Sequence, residues 1–237
     1  MYIIDLLNEC RLKMGDYDID KDEMAFLRQL NVLQNEMLQL VYVPFKEKIV
    51  GSDEYGWPDG LPFIEVNNLI YKDVINIYAD IKGYAFDEMI FRLDDEYLYP
   101  PFLTCLIRHF IIHKDEKITF NSIMEEIKGS LDAKFGDGNY HKKIEIYGKP
   151  RQDKYVSISE LYEQNAAVCI ERTAVVHNVL KMLNISSSML PVLVFDGKSK
   201  ESHVLNVIEH DDKIHFVDFS IFSKNHANRM PAINVLT

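Results

Sequence analysis

The chain has 237 residues, of which 47% are hydrophobic and 27% charged, and its formal net charge at pH 7 is −11. This length and composition predict a globular protein with one large domain or two small ones. The acidic balance argues against a nucleic-acid partner, because phosphate recognition relies on clustered Lys and Arg. No apolar run reaches the roughly 18 to 20 residues of a membrane span, so we expect no membrane partner either.

The first ten residues and the cysteines bear on the cellular compartment. Asp5 and Glu9 interrupt the initial apolar stretch and no basic residue precedes it, which is not the pattern of a signal peptide. Three cysteines are too few, and too odd in number, for a disulfide framework. We therefore expect a cytoplasmic protein, with export without a cleaved signal as the open alternative. The sequence indicates no oligomeric state.

Helices and loops are predicted for residues 1–135. One helix is indicated by apolar residues at helical spacing, which are Met24, Leu27, Leu30, Leu33 and Met37. It should end before Pro44. We expect this stripe to be part of the core rather than a groove for a partner. Further helices are predicted over residues 63–81 (FIEVNNLIYKDVINIYADI), 100–113 and 120–131.

The pattern changes after the turn-forming residues 136–139 (GDGN). Residues 142–148 (KKIEIYG) alternate like a strand, and residues 157–185 contain a short helix and then a longer one. Three more strands are predicted at 189–195, 202–210 and 213–220. We therefore predict an α+β protein with two parts. A helical N-terminal region of residues 1–135 precedes a core of residues 136–237, in which an antiparallel sheet packs against the longer helix.

Cys169 lies at the predicted start of that longer helix. Asn165 is a favourable N-cap residue, which would place the cysteine in the first turn, where unpaired backbone amides favour a thiolate. The alternative is a packing role, since free cysteine is among the most buried residue types. For an oxyanion hole, the Cys169 amide would be one donor, with the side chain of Gln164 or Asn165 as a candidate second donor.

Two later residues are spaced to meet this sulfur. If Asp211 and Asp212 form a two-residue hairpin loop, the numbers of cross-strand partners sum to 423, and Leu205 is opposite Asp218. His203 and Asp218 then lie on the same face as diagonal neighbours, within reach of each other. The carboxylate would orient the imidazole, whose other nitrogen would meet the sulfur. A hydrogen-bonded core histidine and a strand-ending aspartate are the alternative interpretations.

The segments AAVCIERTAVVHNVLKMLNI and SHVLNVIEHDDKIHFVD resemble the transglutaminase-like superfamily. The resemblance covers about the last 90 residues and implies a papain-like core. It also implies that Cys169 is the nucleophile, His203 the general base and Asp218 the residue that orients it. A protein or peptide amide would be the substrate, with hydrolysis, glutamine deamidation or crosslinking as the outcome. Many members have glycine where this chain has Ala167, and an aromatic residue where it has Leu205.

Two alternatives to this function stay open. The arylamine N-acetyltransferases share the order of the three residues and match Glu171, but their Arg-Gly-Gly is replaced by Asn165, Ala166 and Ala167. A non-catalytic protein that keeps the transglutaminase-like fold as a binding or scaffold module is the alternative from another class.

Neither a metal nor a cofactor is expected. The acidic segment DYDIDKDEMAFL has Lys21 and Leu27 where a calcium loop needs glycine and glutamate. His109 and His113 are spaced for one helix face, but they lack both a third ligand and the glutamate of a zinc protease. No glycine-rich phosphate loop occurs in the sequence.

Overall fold

A computed structural model describes residues 3–15, 22–41, 64–67, 99–113, 115–135, 138–149, 158–195, 200–219 and 232–236. Within these ranges the chain forms seven α-helices and a five-stranded sheet, so the predicted α+β class is confirmed. No helix among the described residues is both long enough and apolar enough to cross a bilayer.

The described residues contain helices and strands with the following bounds. The helices are α1 (Ile3–Met14), α2 (Glu23–Val41), α3 (Tyr99–Ile112), α4 (Phe120–Phe135), α5 (Tyr140–Tyr147), α6 (Ile158–Glu163) and α7 (Cys169–Met182). The strands are β1 (Ile64–Asn67), β2 (Ser186–Phe195), β3 (Lys200–His210), β4 (Lys213–Asp218) and β5 (Ala232–Leu236). The short and the longer helix before β2, and the three strands β2 to β4, agree with the prediction.

The sheet has the order β1-β2-β3-β4-β5. Strands β2 to β4 pair antiparallel, as predicted. Strand β5, which was not predicted, pairs antiparallel with β4, and β1 adds a parallel strand, with Ile64 opposite Val192. The helix predicted over residues 63–81 is therefore wrong at residues 64–67, and the rest of that prediction lies outside the described residues. A strand from the region predicted to be helical thus extends the sheet of the C-terminal part.

The segment KKIEIYG is a helix, so the strand predicted there is wrong. Residues 142–147 lie in α5, whose N-cap is Asn139; its side chain accepts a hydrogen bond from the Lys142 backbone N–H at 3.0 Å. Lys143 and Ile146 are both buried. Because residues three apart share a helix face, α5 buries these two while the alternation in the sequence imitates a strand.

Helix α2 forms where it was predicted, but the buried face differs. Met24 is 59% exposed, so its prediction as a core residue is wrong. The residues that α2 buries are Phe26, Leu30, Leu33, Met37 and Val41. Because they recur at intervals of three and four residues, they form one apolar stripe.

One apolar core joins the helices to the sheet. It extends from α1 to α4, through α6 and α7, to the inner residues of β2, β3 and β4. Helix α7 packs against β2 and β3, as predicted for the cysteine-bearing helix. The division of the chain at residue 135 stays a prediction.

Two contacts fix α3 and α4 at their ends. Arg11 of α1 donates to the backbone carbonyls of Phe110 at 2.6 Å, His113 at 2.7 Å and Glu116 at 2.5 Å. The guanidinium thus satisfies the Phe110 carbonyl in the last turn of α3, which lacks an intrahelical partner, and two carbonyls of the segment that follows the helix. Phe120, the first residue of α4, packs its ring on the β3–β4 hairpin at 4.4 Å from the His215 ring.

Candidate active site

The β3–β4 hairpin has the predicted register. His210 pairs with Lys213 and Asn206 with Val217, so the numbers of cross-strand partners sum to 423. The loop residues Asp211 and Asp212 have φ angles of 51° and 56°. Such left-handed values at both positions belong to the two-residue turn whose twist matches that of the strands.

This register brings His203 and Asp218 together in a buried place. The Nε2 atom of His203 lies 3.2 Å from Oδ2 of Asp218, and the two side chains are only 1% and 7% exposed. Strand β3 supplies the histidine and strand β4 ends on the aspartate. The diagonal contact expected from the sequence therefore exists as a hydrogen bond between the ring and the carboxylate.

Cys169 is the third member of this group. It is the first residue of α7 and it is half-buried. Its sulfur is near enough to the His203 imidazole to raise the pKa of the ring. The His203 imidazole therefore interacts with both the Asp218 carboxylate and the Cys169 side chain.

The surroundings of His203 favour its charged form. Burial lowers the pKa of the imidazole, but the hydrogen-bonded Asp218 carboxylate and the Cys169 sulfur outweigh burial and raise the pKa to about 10. The ring therefore carries a proton at neutral pH. A protonated ring thus places a positive charge near the cysteine at the start of α7.

Helix α7 begins differently from the prediction. Its N-cap is Val168, and the Glu171 side chain reaches back to accept the Val168 backbone N–H at 2.8 Å. Asn165 instead ends α6, with a φ of 51° and a hydrogen bond from its own N–H to the Tyr162 carbonyl. Asparagine suits both a helix start and a left-handed helix end, and the N-cap prediction for Asn165 is wrong.

The predicted oxyanion donors lie in the turn before the cysteine. Asn165 is exposed and Gln164 half-buried, and the role of either side chain in binding an oxyanion stays a prediction. The Val168 N–H is occupied by Glu171. The Cys169 N–H belongs to the first turn, whose amides have no partner within the helix, and it is the backbone donor of the predicted nucleophile itself.

Several buried polar residues that hold α7 were not predicted. Glu171 pairs with Lys143 of α5 at 2.6 Å, and both side chains are at most 3% exposed. Arg172 contacts Asp132 of α4 at 2.7 Å and the Phe219 carbonyl after β4 at 3.1 Å. Glu171 and Arg172 are adjacent charged residues in a helix that buries nearly all its residues. Because buried charges need partners, this adjacent pair is the sequence feature that could have indicated these contacts.

The described residues contain no group of three or more His, Cys, Asp or Glu side chains placed to hold a metal ion. His109 and His113, considered above as ligands, instead contact carboxylates. His109 lies 3.3 Å from Glu126, and His113 lies 3.5 Å from Glu116.

Comparisons with protein-family models, with curated proteins and with solved structures find no significant match to this chain.

Proposed function

We propose that this chain catalyses cysteine-dependent acyl transfer from an amide, with Cys169 as nucleophile, His203 as proton carrier and Asp218 as the residue that orients and charges His203. The observation that carries the proposal is the buried His203 imidazole, which lies 3.2 Å from the Asp218 carboxylate and whose pKa is also raised by the nearby Cys169 side chain. Nucleophile, base and orienting group in this order define an activated cysteine.

The raised pKa of His203 changes the role expected from the sequence. A ring with a pKa of about 10 already holds its proton at neutral pH, so we propose that the ring acts as the proton donor to the leaving amine, with the Cys169 thiolate as the attacking species, rather than as a neutral base. The sulfur forms a bond to the amide carbonyl carbon, and the Cys169 N–H binds the resulting oxyanion. His203 then gives its proton to the leaving amine as the C–N bond breaks.

Transfer of the acyl group from the thioester to an acceptor completes the reaction. Water, or an amine of another molecule, attacks the thioester carbon, His203 takes the proton of the attacking group, and the thiolate leaves with the C–S electron pair. Water as acceptor gives hydrolysis of the amide or glutamine deamidation, and an amine gives crosslinking. The substrate class is a protein or peptide amide.

The fold supports the same proposal at a coarser level. A helix that starts at the cysteine packs on β2 and β3, and the next two residues of the site come from β3 and β4. We propose that this part is a transglutaminase-like, papain-like core. The order of the three residues and the hairpin between the last two support this resemblance.

Alkylation of Cys169 by iodoacetamide as a function of pH tests the proposed function. Buried Cys10 and exposed Cys105 are first replaced by Ala and Ser, so that the rate reports one sulfur. An activated cysteine should react well below the ordinary thiol midpoint of about pH 8.5. The variant His203→Ala should move the midpoint toward that ordinary value, because it removes the positive charge beside the sulfur.

The matched control is His141→Ala, which removes an exposed histidine of α5 and should leave the alkylation profile unchanged. If Cys169 titrates as an ordinary thiol and His203→Ala changes nothing, a non-catalytic binding protein becomes the better interpretation. For the substrate, acyl adducts trapped from cell extract on the wild type should be missing on Cys169→Ala.

A further inference from the structure

The turn before the nucleophile, residues 164–168, is held from outside by one short segment. This pre-cysteine turn links the end of α6 to Cys169, and the buried Ala166 and Ala167 lie within it. The segment that holds it, residues 138–143, comprises Gly138, the N-cap Asn139 and the first turn of α5. We call it the clamp segment.

Gly138 of the clamp segment lies against the Ala167 carbonyl of the turn. It has a φ of 68°, and a Cβ built on it would lie 2.4 Å from the Ala167 carbonyl oxygen. Real Cβ atoms do not approach oxygen so closely, so any side chain here would push the backbone two residues before Cys169. Only glycine fits both the left-handed conformation and this contact.

Lys143 acts on the other end of the turn through Glu171. Its ammonium group lies 2.6 Å from Oε1 of Glu171, while Oε2 of the same carboxylate accepts the Val168 N–H at 2.8 Å. One buried carboxylate therefore ties the clamp segment to the peptide that leads into Cys169. In addition, Lys142 Nζ lies 3.5 Å from the Gln164 carbonyl oxygen at the start of the turn.

We propose that Gly138 and Lys143 are positioning residues for acyl transfer: the clamp segment fixes the pre-cysteine turn so that the Cys169 N–H points at the oxyanion as the sulfur attacks. This inference rests on the proposed function. A misplacement of about 1 Å in such a site lowers rates by about 100-fold. Buried contacts of this kind therefore act on the rate without touching substrate.

Two chemical probes separate positioning from a purely structural role. With p-nitrophenyl acetate, the sulfur bonds to the carbonyl carbon, an oxyanion forms, and the C–O bond breaks to release p-nitrophenolate with its electron pair. With iodoacetamide, the sulfur displaces iodide from a CH₂ group and no oxyanion forms. Substitutions in the clamp segment should therefore slow acetylation by p-nitrophenyl acetate much more than alkylation by iodoacetamide.

The test compares single-turnover acetylation with alkylation in the protein whose other two cysteines are replaced. Gly138→Ala should slow acetylation about 10- to 100-fold and change alkylation less than about threefold, because the thiolate itself persists. The matched control is Gly129→Ala in α4, where an added Cβ meets nothing within 4 Å, and neither rate should change.

The ion pair is tested in parallel. Lys143→Met combined with Glu171→Gln removes both charges together and so leaves no buried ion unpaired. It should slow acetylation at least about tenfold by freeing the Val168 peptide. Lys143→Arg retains the ion pair and should keep most of the acetylation rate, with thermal unfolding followed to confirm that each variant folds.

Equal losses of acetylation and alkylation in folded variants would overturn the inference, as would wild-type acetylation in both Gly138→Ala and the double variant. If neither variant folds, amide hydrogen exchange of the wild type decides: the Val168 amide should be as protected as the interior of α7, and fast exchange there refutes the clamp. If the wild type shows no His203-dependent acetylation, the proposed function itself fails.

Discussion

The charge of His203 should make the stability of the protein depend on pH, and Asp218→Asn should remove that dependence. The folded-state pKa of about 10 lies above the ordinary value of 6.5. Stabilisation from the charged ring is therefore complete below about pH 6.5 and is lost as the pH rises from there to about 10. At about 1.4 kcal/mol per pH unit the loss is about 5 kcal/mol.

Urea unfolding at intervals between pH 6 and pH 10 measures this loss, and the His203 ring protons followed by NMR give the titration directly. In Asp218→Asn the ring loses its carboxylate while burial still opposes its charge, so its pKa should fall and the slope of stability over this pH range should flatten. Glu209→Gln, an exposed change on the same strand, serves as the control. The reasoning is refuted if the wild-type ring titrates near 6.5, or if wild type and Asp218→Asn lose equal stability.

Three further predictions concern stability. Arg11→Ala should lower the free energy of unfolding by about 2 kcal/mol in urea titrations, because charged hydrogen bonds at the end of α3 are lost. An unchanged urea midpoint would show that Arg11 does not stabilise this helix end. Gly129→Ala should raise it by about 0.5 to 1 kcal/mol, since the helix position is open, and a loss would show a contact at this site. Burial lowers the pKa of His215, and this effect outweighs the opposing influence of the His210 backbone, while the charge of Lys213 adds to the lowering. Stability should therefore fall as the pH drops below about 6.5, where the unfolded chain takes up the proton. His215→Phe, which keeps the ring contact with Phe120, should weaken this acid sensitivity in unfolding experiments between pH 5 and pH 7.

The hairpin and its diagonal pair could be predicted from the sequence because they depend on local rules. A two-residue loop fixes the register of both strands, and the register fixes which side chains share a face. Asp211 and Asp212 adopt the left-handed conformations that such a loop requires. The meeting of His203 with Asp218 then follows from counting along the strands.

The errors arise where one residue type or pattern serves two structures. Asn165 suits a helix start and a left-handed helix end, and the bonds that finish α6 decide for the latter. The alternation of KKIEIYG fits a strand, but the Asn139 cap and the two buried positions of α5 decide for a helix. β1 forms through pairing with β2, more than 120 residues away along the chain, and short-range patterns carry no information on such a partner.

The ion pair between α7 and α4 and the pairing of β1 with β2 also determine which fragments of the chain can fold on their own. A polypeptide of residues 136–237 alone would contain Arg172 without Asp132, so a buried cation would lose this ion pair. It would also leave the outer edge of β2 without β1, and a bare strand edge invites self-association and precipitation. Shuffling or truncation at the predicted boundary should thus yield insoluble material.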